Sequence, residues 1–586
     1  MSRSRKRGGA RPATAGSVVP GREATESVSS HDAFVVVLVI AVATALAYSN
    51  TFDAPFHFDD FPNIVENQSL RDLNGQWPPG GRRWLGYLSF ALNYRFGGLH
   101  VFGYHLVNLL IHVCNGLLVS WLTATTLRTP AMRRAETGPL VRRYLPLVAG
   151  LLFAVHPVAT QAVTYVVQRF TSLATLFYLL SVALYAQARL ALEADLPSKP
   201  RAAYLYCLSV LSAVGAMETK EIGFTLPFVA AGYDLLFFRR GKARLLLAPL
   251  ALTALLVPLG LVTQGQNLAD VLGNASDLAA ETQTIPRSVY LLTQSRVVVT
   301  YLRLLLLPVG QNLDPDFRLS NSPADPDVLF ALAILLALAA CAVLLLVRAR
   351  KTNRAAGVLV FFGVAWFFVT LSVESSVIPI RDVIVEHRVY LPSAGAAVTA
   401  GTALLWAIER LRLRVSLPLQ AGLALLITAG PLGTAAYVRN LVWKDDFILW
   451  SDVVAKSPQK GRPHFQVGLA YKLKGQIDDA MREYREAIRL DPAYAPAHNN
   501  LGNAHKKKGE LDDAIREYRE AIRVAPGYAR AHYNLGVAYQ ARGRIDDAIR
   551  EYREAMRLGY IEARNRLGGI SMQQDRAADA VEEPRR

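Results

Sequence analysis

Apolar residues run in long blocks from residue 32 to about 437, broken by shorter polar stretches. The blocks fall near 32–50, 101–126, 144–161, 170–190, 203–219, 222–238, 244–263, 328–347, 356–378, 390–408 and 416–437. A bilayer core needs about 20 apolar residues of helix, so the pattern predicts eleven crossings, several of them short. One further piece, VVVTYLRLLLLPVG at 297–310, is apolar but carries Arg303. Beyond residue 440 the blocks end. Apolar positions there recur at helical spacing among charges, which predicts amphipathic helices packed on one another.

Composition agrees with the first pattern. The chain of 586 residues is 52% hydrophobic and 19% charged, with mean hydropathy +0.22, too apolar for a soluble protein of this length. Net charge is +17, and its placement orients the spans. RTPAMRRAETGPLVRR, FRRGKAR, VRARKTNR and ERLRLR all fall on one side if the N-terminus is cytoplasmic. That side then holds about 25 Lys and Arg against about 10 on the other, as the positive-inside rule expects. The count works only if 297–310 does not cross, so that piece is expected to be re-entrant or to lie at the interface. The C-terminus then falls outside the cytosol. No basic stripe interleaved with aromatics argues for nucleic acid. Cys114, Cys207 and Cys341 sit inside apolar blocks and read as small core residues, with neither disulfide nor metal spacing. ALA at 45–47 resembles a signal cleavage site, but a long leader before it and many spans after it favour a retained helix.

The end of the chain repeats. IDDAMREYREAIRL begins at 477, LDDAIREYREAIRV at 511 and IDDAIREYREAMRL at 545, a period of 34 residues, which is the tetratricopeptide length and pattern. Gly468, Gly502 and Gly536 would let paired helices approach, and Pro492 and Pro526 would end the second helix of a repeat. Such stacks present a concave surface to peptides or partner domains, although a purely stabilising appendage has the same pattern. The boundaries expected are a disordered basic segment 1–31, a transmembrane domain 32–440, a linker helix 441–461, repeats 462–565 and a disordered tail 566–586.

Polar residues with no packing reason cluster in the outer loops. FHFDDFPNI at 56–64 holds Asp59 and Asp60, followed by RRWLGYLSFALNYRFGG at 82–98, a helix expected at the membrane surface. HPVATQAVTYVVQRF carries His156, Gln161 and Arg169. METKEIGFTLP carries Glu218, Lys220 and Glu221. VIPIRDVIVEHRVYLPSAG carries Arg381, Glu386, His387, Arg388 and Tyr390. Arg296 and Arg303 precede GQNLDPDF. Ionisable groups near hydrocarbon face one another or water. An acid pair with several cations on one face fits an anionic, lipid-borne substrate. A carboxylate would take a proton from an acceptor hydroxyl, and cations would hold a departing phosphate. Each residue alone also reads as an interfacial anchor or a helix cap.

FDDFPNI, LSFALNYRFGGLHVFGYHLVNLLIH, HPVATQAVTYVVQR, TYLRLLLLPVGQNLDPDF and EHRVYLPSAG, followed by the repeats, resemble the transmembrane and tetratricopeptide-repeat O-mannosyltransferases. More broadly they resemble the GT-C glycosyltransferases that use polyprenyl-phosphate sugars. The resemblance implies an all-α fold, a polytopic helical membrane domain followed by an α-solenoid of three repeats. It implies transfer of a monosaccharide, mannose by analogy, from a polyprenyl-phosphate to Ser or Thr hydroxyls of proteins, with inversion at the sugar carbon. Asp59 becomes the catalytic carboxylate with Asp60 beside it. Arg388, His387, Lys220, Arg303, Arg169, His156 and Glu386 become candidates for the donor site, and the concave face of the repeats for the acceptor. Related proteins commonly carry an acid where this chain has Gln161. No cofactor is expected, and a divalent metal at the two acids is not favoured. The expected setting is a bacterial inner membrane with periplasmic repeats, or an endoplasmic reticulum membrane with luminal ones. Competing readings are transfer to a glycan or lipid, and a non-enzymatic scaffold that recruits partners through its repeats. A transporter would want charge at mid-membrane and internal symmetry, and neither is visible.

Overall fold

The computed structural model describes residues 30–73, 83–194, 198–238, 241, 246–253, 285–375, 379–380, 382–570 and 572. The basic segment 1–29, most of the expected span 244–263, Arg381 and nearly all of the tail beyond 570 lie outside the described residues. Among those described there is no strand. The apolar blocks form helices, five of them long and apolar enough to cross a membrane, or six if the bent pair Pro139–Val155 and Pro157–Thr164 counts as one. Ser30–Ala47, Lys199–Met217, Leu226–Phe237, Ala355–Leu371 and Pro392–Arg410 are helices over other expected spans. This fits a multi-pass membrane protein.

Packing explains how polar residues survive inside the bundle. The helices Val101–Leu127, Pro139–Val155, Arg169–Leu192 and Pro392–Arg410 share one core. At its centre His112 donates from Nε2 to Ala154 O (2.8 Å) and accepts at Nδ1 from Tyr390 (2.6 Å), while Asn115 donates to Tyr390 (3.1 Å) and to Ser172 O (2.9 Å). Arg189 and Asp234 form a buried ion pair that Tyr185 joins at 2.9 Å. Buried charge is tolerable when paired in this way. At one end of the bundle Glu409 accepts from the free N–H groups of Leu140 (2.7 Å) and Val141 (3.2 Å), capping Pro139–Val155. The opposite end carries the polar loops. The three cysteines are exposed on the helices and are not core residues; the expectation counted apolar neighbours but not the face each residue takes.

The segment 297–310 belongs to a longer helix, Arg287–Leu306, whose length and composition alone would allow a crossing. Its contacts fit a helix lying along the loop end. Tyr290 donates to Glu374 O, Gln294 to Val383 O and Tyr301 to Val385 O, and Leu305 O accepts from His156, all within 2.9–3.0 Å. Both halves of the helix therefore bond to loops at the same end of the bundle.

The helix Asp446–Lys456, in the segment expected as a linker, buries Leu449, Trp450 and Val453 against the first loop. The repeats follow as helix pairs Gly461–Leu473 with Ile477–Leu490, Ala495–Lys507 with Leu511–Val524, and Ala529–Ala541 with Ile545–Arg557. A Cβ at Gly502 would lie 2.7 Å from the Tyr518 ring, so that close approach requires glycine. Each repeat also carries a histidine between two acceptors. His464, His498 and His532 face Glu483, Glu517 and Glu551 at 2.7–2.8 Å through Nδ1, and Pro458, Pro492 and Pro526 carbonyls at 3.1–3.2 Å through Nε2. A ring with acceptors on both nitrogens is held protonated. At His464 the Glu483 hydrogen bond leads in raising the pKa. At His498 and His532 burial opposes the charge, and the glutamate bonds outweigh it. A raised folded pKa gives stability present below the unfolded value, about 6.5, and lost as pH climbs through the folded value. Hydrogen exchange across Ile477–Val524 in the full chain, corrected for intrinsic rates, is expected to be slower at about pH 6 than at about pH 9. His498→Gln is expected to shrink that difference. Equal protection at both pH values contradicts the pairing.

Candidate functional site

The first loop is shaped by its buried groups. His57 is fully buried, with Nδ1 on Asp446 (2.6 Å) and Nε2 donating to Trp443 O (2.8 Å); burial opposes its charge, but the Asp446 bond prevails and raises its pKa. Asp60 is also fully buried. One carboxylate oxygen accepts from the His57 N–H (2.9 Å) and the other from the Val167 N–H (2.7 Å). Burial still drives its pKa up to about 7. Between these anchors Phe58 adopts φ +36°, a left-handed conformation costly for a bulky residue, of order 1–3 kcal/mol. Its ring meets Trp450 edge-on at 5.7 Å, and the Arg462 guanidinium lies 5.5 Å from its centroid. The turn presents Asp59, whose N–H donates to the Tyr165 hydroxyl at 2.8 Å. Asp59 is half-buried. Burial raises its pKa, Tyr165 opposes the rise, Asp382 adds to it and Arg462 counters it. The two adjacent acids therefore differ: Asp60 holds the backbone, and Asp59 offers its carboxylate to neighbours.

Several candidate cations gather around His387 instead. Lys220 pairs with Glu374 (2.7 Å) and donates to Thr171 (3.0 Å). Arg388 donates to Val383 O (3.0 Å) and Asp382 O (2.7 Å). His387 donates its backbone N–H to Gln161 Oε1 at 2.8 Å. Burial, then the charges of Lys220, Arg388 and Arg83, hold its pKa well below normal. Arg83, which the sequence reading did not single out, sits 3.3 Å from Glu221. Arg83, Lys220 and Arg388 thus surround an uncharged His387, with Glu221 and Glu374 among them, and Asp382 joins Arg388 to Arg462 near Asp59.

Other candidates take structural places. Arg169 is fully buried and donates to Asn108 (2.6 Å), Asn93 (2.6 Å), Ser89 O (3.2 Å) and Tyr104 O (2.9 Å), pinning the helix Trp84–Gly97 to the bundle. His156 caps its own turn through the Val158 N–H (3.2 Å) and holds Leu305. Glu386 accepts from Gln311 (2.8 Å) and the Asn312 N–H (2.6 Å), tying two loops together. Arg303 is exposed and bonds to Val309 O at 2.9 Å, at the end of its own helix. Among the described residues the group with metal-ligand spacing is His505, Glu510 and Asp513 in the repeats, where His505 already bonds to Glu510 at 2.6 Å.

Sequence reasoning missed the joint between loops and repeats. Asp314 is buried and takes Arg462 in a two-pronged pair (2.6 and 2.5 Å), with Lys460 also on it; burial opposes its charge, but Arg462 prevails and lowers its pKa. Arg462 reaches Asp382 as well, at 2.8 Å. A residue of the first repeat helix therefore stands beside Asp59.

A polytopic helical bundle with a loop-borne acid, joined to a tetratricopeptide-repeat array, defines the architecture. Models described as TPR repeat match residues 468–509 and 505–543, and one described as tetratricopeptide repeat matches 529–559. The chain is similar to Protein O-mannosyl-transferase Tmtc3 of Drosophila melanogaster, 26% identical over 77% of this chain and 55% of that protein. It is 24% identical to Protein O-mannosyl-transferase F38B6.6 of Caenorhabditis elegans over 82% of this chain and 66% of that protein. With human Protein O-mannosyl-transferase TMTC4 the identity is 33% over 34% of this chain and 29% of that protein. The matches bear out the resemblance to the transmembrane and tetratricopeptide-repeat O-mannosyltransferases. The chain spans about half the length of the Drosophila relative and under a third of the human one.

Replacing Arg462 by Gln leaves Asp314 buried with Lys460 alone. We expect a loss of about 2 kcal/mol of docking stability, read as a lower unfolding midpoint of the full chain and faster proteolysis between residues 456 and 461. An unchanged cleavage rate would show that the joint does not depend on this pair.

Proposed function

We propose that this chain is a membrane glycosyltransferase that moves mannose from a polyprenyl-phosphate donor to Ser or Thr hydroxyls of proteins on the non-cytoplasmic face. The observation that carries the reading is Asp59: a half-buried carboxylate with raised pKa, presented by a strained turn, with Asp382 joining Arg388 to Arg462 near it. Its likeness to proteins named O-mannosyl-transferases supports the same reaction class.

In the proposed step the acceptor hydroxyl oxygen attacks the anomeric carbon. Asp59 takes the hydroxyl proton, and the bond from that carbon to the phosphate oxygen breaks with its electron pair staying on phosphate. Arg83, Lys220 and Arg388 supply positive charge near the leaving group, where charge develops in the transition state. His387, kept neutral by burial first and then by those cations, remains available for hydrogen bonding. Gln161 meets His387 as an uncharged acceptor and adds no charge to a group in which Glu221 and Glu374 already pair with Arg83 and Lys220.

The scaffold reading draws on a different observation: Arg169, Glu386, Lys220 and Arg388 all have partners within the protein. Membranes given radiolabelled polyprenyl-phosphate mannose separate the two. Asp59→Asn is expected to lower protein labelling by a factor of about 10²–10⁴, as loss of a general base does. Wild-type labelling should rise with pH through a value above the ordinary carboxylate pKa of about 3.9, since the base acts deprotonated. Equal labelling in mutant and wild type removes Asp59 from the chemistry. No labelling in either, with folding confirmed, favours the scaffold.

A further inference from the structure

The helix pairs of the repeats are unequal. The first helices Ala495–Lys507 and Ala529–Ala541 touch each other, whereas the second helices of neighbouring repeats make no comparable contact, so the first helices line the inner curve of the stack. The second helices are richly charged yet locally neutralised: Arg482 with Asp479, Arg489 with Glu486, Arg516 with Asp513, Arg523 with Glu520, Arg550 with Asp547 and Arg557 with Glu554. The inner curve differs. Lys472, Lys506, Lys507, Arg530 and Arg566 make no ion pair within 4.0 Å among the described residues. They sit near enough to act on one another. Burial first, then Arg530 and Lys507, lower the pKa of Lys472; burial, then Arg566 and Lys472, lower that of Lys506.

Like charges gathered without counter-charge cost free energy, and an anion lying along them recovers it. The floor of the strip carries amides. Lys472 reaches Asn500 Oδ1 at 3.4 Å, and Asn534 donates to Asn499 Oδ1 at 2.8 Å. Asn499 is 1% exposed, and its Nδ2 has no hydrogen-bond partner among the described residues. A buried donor without an acceptor asks for an oxygen from outside. Amides bond to a peptide backbone, and a concave strip suits an extended chain better than a flat bilayer.

We propose that the inner curve of the repeats binds an extended, acidic polypeptide segment, and that acceptor proteins are held by such a segment. The second clause rests on the transferase reading; the first does not.

The test uses the full chain in nanodiscs of neutral lipid and the fluorescence anisotropy of two labelled peptides, one alternating Glu and Ser, the other Gln and Ser. The acidic peptide is expected to bind at least about tenfold tighter, with affinity falling as salt rises. The triple variant Lys472→Gln, Lys506→Gln and Arg530→Gln is expected to lose that advantage. The charge-keeping pair Lys472→Arg and Lys506→Arg, and Asp59→Asn, are expected to keep it. Equal binding of the two peptides overturns the proposal, as does acidic binding that survives the triple variant. Capture of phosphatidylglycerol vesicles in place of the acidic peptide also overturns it. Acidic binding without any sugar transfer upholds the strip and counts against the transferase reading alone.

Discussion

A carboxylate removed from water must find donors or give up its charge, and Asp60 meets that demand with backbone alone. Its two oxygens take the N–H groups of His57 and Val167, one from the first loop and one from the turn that opens the helix Arg169–Leu192. That bridge fixes where the first loop lies. It holds the left-handed Phe58 in place, turns Asp59 toward Tyr165, and brings His57 against Asp446 and Trp443. The position of Asp59 follows from this arrangement.

The loop end of the bundle is a sequence of such satisfied demands. Glu386 gathers Gln311 and Asn312, Ser457 accepts from Asn312 and Asp316, and Asp314 gathers Arg462 and Lys460. Each joins segments far apart in the chain. Burial makes each bond expensive to break, so the loops are tied into one surface that presents the half-buried Asp59.

Some of this was legible in the sequence. The 34-residue period identified the repeats because each repeat must bury the same face of its neighbour. The apolar blocks identified helices, since hydropathy needs only local composition. The charge asymmetry assigned 297–310 to an interface, whereas the structure makes it part of Arg287–Leu306, a helix whose length and composition also allow a crossing. Asp59 and Asp60 were singled out together, yet their different environments were invisible because the partners of Asp60 are backbone amides, which any sequence supplies. Arg462 was invisible for another reason. It occupies an ordinary position of a repeat, and its partner lies 148 residues earlier. Cys114, Cys207 and Cys341 show the limit of composition: an apolar block says that a helix is apolar, not which side of it faces inward.

A stack of helix pairs clamped at one end behaves as a cantilever. The clamp is the Arg462 side chain in Asp314, backed by Lys460 and by Trp450 under Phe58. Any pull on the far repeats produces its greatest bending moment at that root, where the Arg462 charge acts on Asp59. Force applied to a protein held in the repeats would be felt first where the loops meet the stack. The joint that stands beside the candidate site is thus also the mechanical fulcrum of the stack.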